Sequence, residues 1–160
     1  MKIDKNKYAQ IVTDLAENSF RNGEFPAGAV VVIPSKTLSS QEMFFISGNS
    51  YGYDHAELQA IDAAIRGSKK VFPPLKGAVL FASMESCMMC LSKAYWAGIR
   101  QIYYILPKGM VDPKHCYAGD FDFKKLIPKF WEKMIIEKID GDVDLLLNLY
   151  KRWEQRITAN

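Results

Sequence analysis

His55 stands two residues before Glu57 in Asp54-His55-Ala56-Glu57, and Cys87 and Cys90 form a Cys-x-x-Cys pair that begins 32 residues after the histidine. One imidazole and two thiolates make a three-ligand set for zinc, and a zinc held by only three protein groups keeps a fourth position open to water. Such a site does chemistry. Each piece taken singly also has a plainer reading. A Cys-x-x-Cys pair suits a structural zinc site or a core equally well. Asp54-x-x-Glu57 ahead of Leu58, Ile61, Ala64 and Ile65 reads as a capping box. A lone histidine in that place is an ordinary first-turn residue. The combination is far more specific: His-x-Glu opens one helix and Glu-Ser-Cys-x-x-Cys opens another, each after a strand.

The elements that position these residues alternate between helix and strand. Tyr8, Ile11, Val12, Leu15 and Ser19 fall at helical spacing, so an amphipathic first helix is expected to run to about Arg21 and stop at Asn22-Gly23. The runs 29–33 and 43–46 read as two strands of a hairpin, joined by the polar stretch 34–42. After the His55 helix, a third strand is expected over 78–82, a helix from Cys87 to about Ala97 with Gly98 near its end, and a fourth strand over 102–106. A fifth strand follows over 134–139. Asp142 or Asp144 then starts a last helix whose Val143, Leu146, Leu147, Tyr150 and Trp153 share a face. This order implies a three-layer α/β/α sandwich. Both ligand-bearing helices would present their N-termini to the metal, where unpaired amides and the positive dipole end favour thiolates.

Length and composition agree. A chain of 160 residues, 49% hydrophobic, is the size of one domain, expected over 1–160, and buries a core without disulfides. No apolar stretch approaches the roughly 20 residues that span a bilayer, and the polar start predicts a cytoplasmic protein with no membrane partner. Two of its three cysteines are claimed by the metal, which leaves Cys116 as a free thiol in a reducing compartment. Net charge is only +3, and the late lysines are interleaved with acids. That mixture reads as a solvated face rather than a nucleic-acid footprint.

The pair of motifs matches the zinc-deaminase pattern of His-x-Glu followed by Pro-Cys-x-x-Cys. From Pro26-Ala27-Gly28-Ala29-Val30 through Gly48-Asn49, His55-Ala56-Glu57, Met84-Glu85-Ser86-Cys87-Met88-Met89-Cys90 and Tyr95-Trp96-Ala97-Gly98, the sequence resembles the cytidine and deoxycytidylate deaminase superfamily. Within it, the likeness is greatest to the guanine deaminase and tRNA adenosine deaminase branch. The resemblance implies a five-stranded mixed sheet, zinc on His55, Cys87 and Cys90, Glu57 as the proton shuttle, and a homodimer. Ser86 stands where the family has proline; serine is a strong N-cap residue and is expected to start the helix by a side-chain hydrogen bond instead.

Substrate-binding residues come from the same resemblance. Asn49 matches the asparagine that bonds the base or its sugar, with a turn residue as the alternative. Trp96 matches a tryptophan lining the base pocket in guanine deaminases, though a helical Trp also suits a core. Asp120 or Asp122 is a candidate base-reading carboxylate, or one of them caps the helix toward Leu126. Ala27 departs from guanine deaminases, which carry phenylalanine there; Phe25 is a candidate to compensate. The segment 107–119 has the length of a lid or substrate-reading loop, and its His115 carries no assignment. The function expected is hydrolytic deamination of a nucleobase or nucleoside, guanine-like purine first. The alternatives are adenosine deamination in tRNA, favoured by Lys151, Arg152 and Arg156, and a non-catalytic zinc-stabilised interaction module, against which Glu57 argues.

Overall fold

The computed structural model describes residues 3–34, 43–48, 52–68 and 71–159. The first helix, α1 (Lys5–Arg21), is started by the Asp4 side chain, which accepts hydrogen bonds from the amides of Asn6 and Lys7. Tyr8, Val12, Ala16 and Phe20, spaced four apart, form its buried stripe. Gly23, at φ 85°, follows the Asn22 cap and turns the chain back toward the sheet.

The sheet runs in the order β2-β1-β3-β4-β5. Strand β1 (Ala29–Ile33) is antiparallel to both β2 (Met43–Ser47) and β3 (Val79–Met84). Strand β4 (Gln101–Leu106) runs parallel to β3, and β5 (Ile135–Lys138) parallel to β4. Ala29, Val30, Val31 and Val32 are fully buried, as expected of a strand paired on both edges and covered on both faces. Helices α2 (Ala56–Ser68) and α3 (Met88–Ala97) pack together, α2 lying over β1 and β2. Helix α1 lies over β1 and β3, and α6 (Val143–Thr158) packs on α1 and reaches β4. Tyr8 stacks on Phe81 at 4.9 Å, which anchors α1 to the centre of the sheet. No helix among the described residues is long and apolar enough to cross a membrane.

Two boundaries bear on the site. Strand β3 continues two residues beyond the expected Ala82, to Met84, and so delivers the chain directly to the Cys87 turn. Helix α2 makes its first helical bond from Gln59 N to His55 O, so His55, not Asp54, is the entry residue. The capping box expected at Asp54 and Glu57 is therefore out of register by one.

Gly28 sits where the chain enters β1. Its amide donates to Ser83 Oγ, and its carbonyl accepts from Ser83 N, which ties β1 to β3 beside the site. A Cβ at this position would strike Val12 O, and would lie 2.6 Å from Leu15 Cβ and 3.0 Å from Ala16 N. Helix backbone has no room to retreat, and overpacking of this kind costs about 1–3 kcal/mol. Gly28→Ala is therefore expected to lower the melting temperature by several degrees, read by thermal unfolding.

Candidate metal centre

His55 enters α2 and Cys87 is the N-cap residue of α3, with Cys90 one turn later. Two helix starts thus meet at one point. His55 Nδ1 lies 3.4 Å from Cys87 Sγ and 3.5 Å from Cys90 Sγ, and the two sulfurs are 3.6 Å apart. Zinc bonds of about 2.3 Å to sulfur and 2.0–2.1 Å to nitrogen at tetrahedral angles require donor separations of roughly 3.5–3.8 Å. The triangle present has those dimensions, so the residues fit the metal that the motifs imply. The charges fit as well. A hydrogen bond from Cys90, with a second from His55, pulls the Cys87 thiol down to about 4. The same bond to Cys87, reinforced by burial, pushes Cys90 up. The pair shares a proton that a cation would displace.

Glu57 lies in the first turn of α2, 7% exposed. Burial raises its carboxyl pKa, while the His55 charge lowers it. A small recess of about 30 Å³ is lined by Glu57, His55, Cys87, Glu85 and Tyr117 among others. A cavity of roughly 10–15 Å³ already holds one water, so this one has room for a water beside the carboxylate and two of the metal donors, His55 and Cys87.

Ser86 does not cap α3. Cys87 occupies the cap position with no side-chain capping bond, and Ser86 Oγ is buried without a hydrogen-bond partner among the described residues. One residue ahead of the cap, its hydroxyl is out of reach of the second and third helical amides. It lies close enough to the Glu57 carboxyl to draw that pKa down against the larger effect of burial.

Two cavities open from the recess and share Gly52, His55, His115 and Cys116. One, of about 310 Å³, is walled by Met88, Met89, Tyr117, Phe121 and Phe123. The other, of about 370 Å³, reaches Glu24, Phe25 and Trp153. Both are at the small end of the roughly 300–1,000 Å³ typical of ligand sites. A larger hollow of about 660 Å³ near the start of α1, lined by Lys5, Gln101 and Tyr103, contains none of the metal donors.

The segment after β4 supplies much of this wall. It folds as a 3₁₀ turn (Lys108–Met110), a short helix α4 (Pro113–Cys116) and, after a bend at 118–119, α5 (Phe123–Leu126). Glu85 holds it in place: its carboxylate accepts from Lys108 N at 2.8 Å, and its carbonyl accepts from Tyr117 OH at 2.6 Å. Cys116 is a free thiol whose pKa burial pushes up to about 12, which makes it unreactive.

The expected substrate residues are placed elsewhere or not described. Asn49 lies outside the described residues. Trp96 is 66% exposed and lines neither cavity, because six residues beyond Cys90 on a helix is a rotation of about 120° away from it. Asp120 is exposed and paired with Lys108 at 3.1 Å. Asp122 caps α5, accepting from Lys124 N, which is the helix-capping alternative for that residue. Phe25 does line the site. His115, Met88 and Trp153 carried no signal in the sequence, since their common location depends on how α3, α4 and α6 pack.

Among known proteins, tRNA(Ile)-lysidine synthase of Thermus thermophilus is 30% identical over 88 residues, 55% of this chain, and the chain spans only 16% of that protein's length. The tRNA-specific adenosine deaminase of Agrobacterium fabrum is 26% identical over 118 residues, covering 69% of this chain and 68% of that protein. Of solved structures, a guanine deaminase from Nitrosomonas europaea superposes with a TM-score of 0.69 at 16% identity, covering 96% of this chain and 86% of that one. Identity at that level is a likeness of fold. The MafB19-like deaminase family model matches residues 3–154, and with that extent and these motifs the chain belongs to the MafB19-like deaminase family.

Proposed function

We propose that this chain is a zinc-dependent aminohydrolase that replaces the amine of a nucleobase or nucleoside by oxygen, a guanine-like purine being the leading substrate. The observation that carries the reading is the water-sized recess lined by Glu57, His55 and Cys87, with Cys90 completing the donor triangle. When bound there, zinc would make water nucleophilic near neutral pH. Glu57 takes a proton from the water that attacks the amine-bearing carbon and delivers it to the adjacent ring nitrogen. A second proton carried by the same carboxylate goes to the departing amine, so one water is consumed and one ammonia leaves. Burial suits Glu57 to this work, since a carboxyl with a raised pKa both holds and returns a proton readily. Tyr117 and Glu85 line the same recess, the Tyr117 hydroxyl donating to Glu85 O.

Deamination of tRNA adenosine is the second reading, supported by the relative from Agrobacterium fabrum. The basic residues of α6 give it less support than their number suggests. Arg152 and Arg156 lie over the Phe20 ring at 4.7 and 3.9 Å, and Arg156 also donates to Phe20 O. All three residues are exposed, but Arg152 and Arg156 are already engaged with Phe20, so Lys151 is the substitution that tests a phosphate contact. A non-catalytic zinc module has no use for a buried carboxylate beside the metal donors.

The experiment is to incubate zinc-loaded protein with aminated bases, nucleosides and a tRNA anticodon stem at low and high salt, measuring ammonia. Release from a guanine-type substrate, little changed by salt, is expected because few phosphates are involved. Turnover of the stem alone, falling steeply as salt rises, would move the assignment to tRNA. In that case Lys151→Glu would weaken it further.

A further inference from the structure

His115 is the one histidine besides His55, and it lies on both cavities at the metal donors although 60 residues separate the two in sequence. Its ring is held from the C-terminal helix. His115 Nδ1 is 3.0 Å from Glu154 Oε1. The same carboxylate oxygen accepts from Tyr150 OH at 2.7 Å, and Tyr150, 2% exposed, also accepts from Asp112 N at the cap of α4. Trp153 packs against the imidazole edge to face, with centroids 6.3 Å apart.

These contacts determine which nitrogen carries the proton. An ionised carboxylate only accepts hydrogen bonds, so Nδ1 must be the donor to Glu154. In a neutral imidazole the other nitrogen, Nε2, is then a bare acceptor. Nδ1 is occupied by α6, and Nε2 is the polar atom that the ring has left to offer the cavities it lines. The remaining walls near it are mostly apolar: Met88, Phe121 and Phe123 on one side, Phe25 and Trp153 on the other. A fixed acceptor among largely apolar walls is the arrangement by which a pocket orients a heterocycle.

We propose that His115 is a specificity-determining residue whose Nε2 accepts a hydrogen bond from a ring N–H or second amino group of the substrate, with Glu154 and Tyr150 holding the required tautomer. The proposal rests on the deaminase reading and narrows its substrate to heterocycles that present a donor besides the amine being lost. Asp112 caps α4, its carboxylate accepting from Lys114 N at 2.9 Å, while the hydrogen bond of the ring goes to Glu154.

With only two histidines in the chain, ¹⁵N-histidine NMR reads each ring directly. The sample is zinc-loaded protein at pH 8 in the Glu57→Gln background, so that the probes, guanosine and cytosine, are not consumed. His115 is expected in the Nδ1–H form, its Nε2 signal moving on addition of guanosine, and Glu154→Gln is expected to return it to a mixture of tautomers. In the active enzyme His115→Phe should raise KM roughly tenfold to a hundredfold for a donor-bearing substrate with kcat nearly unchanged, and His115→Gln, which keeps an acceptor near Nε2, should recover much of the loss. An Nε2–H tautomer, an Nε2 signal unmoved by both probes at saturation, or a second zinc on Asp112, His115 and Glu154 would overturn the proposal. Absence of ammonia from every substrate would instead overturn the deaminase reading, because the NMR experiment requires no turnover.

Discussion

Glu57→Gln is expected to remove nearly all turnover while zinc content and melting temperature stay close to those of the unsubstituted protein. The carboxamide keeps the size of the side chain in its buried place at the start of α2. It cannot take up and return a proton, and positioned acid–base groups contribute about 10²–10⁴-fold to rate. Ammonia release and metal analysis on the same preparation check both halves of the result. A rate near that of the unsubstituted protein would reduce Glu57 to a helix-start residue and remove the basis for assigning it the proton transfers.

The second large effect is on the metal. Cys90→Ala deletes a fully buried thiol 3.5 Å from His55 Nδ1 and 3.6 Å from Cys87 Sγ. Two donors that remain cannot hold zinc as three do, so the purified variant should be nearly zinc-free. Metal bound only by the folded state stabilises that state, by about 2.7 kcal/mol at a hundredfold excess over Kd. For a chain of this size the loss corresponds to a melting temperature roughly 5–10 °C lower, measured in the presence of zinc. Adding a chelator to the unsubstituted protein should produce the same shift. Full zinc occupancy in Cys87→Ala and Cys90→Ala together would place the metal on other groups.

The residues that carry these two predictions were legible because their spacing is local. His55 and Glu57 share one helical turn, as do Cys87 and Cys90, and a strand before each helix start is visible in runs such as Val79-Leu80-Phe81. Errors arose where a side chain's direction depends on a register of one residue. Asp54 gave way to His55 as the entry to α2, and Ser86 fell one place short of the cap that its residue type favours. At Trp96 the side chain is exposed, while its neighbour Tyr95 is the buried member of the pair, its hydroxyl oxygen accepting from Glu132 N.

By itself the sequence determined the His-x-Glu and Cys-x-x-Cys motifs and the alternation of helix and strand, since each depends on residue types within a turn or a strand of one another. Tertiary structure alone decided what surrounds that centre. His115 lines the same cavities as His55 because α6, through Glu154 and Tyr150, holds α4, and Arg152 and Arg156 turn to Phe20 because α6 packs on α1. Contacts between residues so distant in the chain leave no periodic trace along it. They are set by which faces of separate elements the burial of apolar surface brings together.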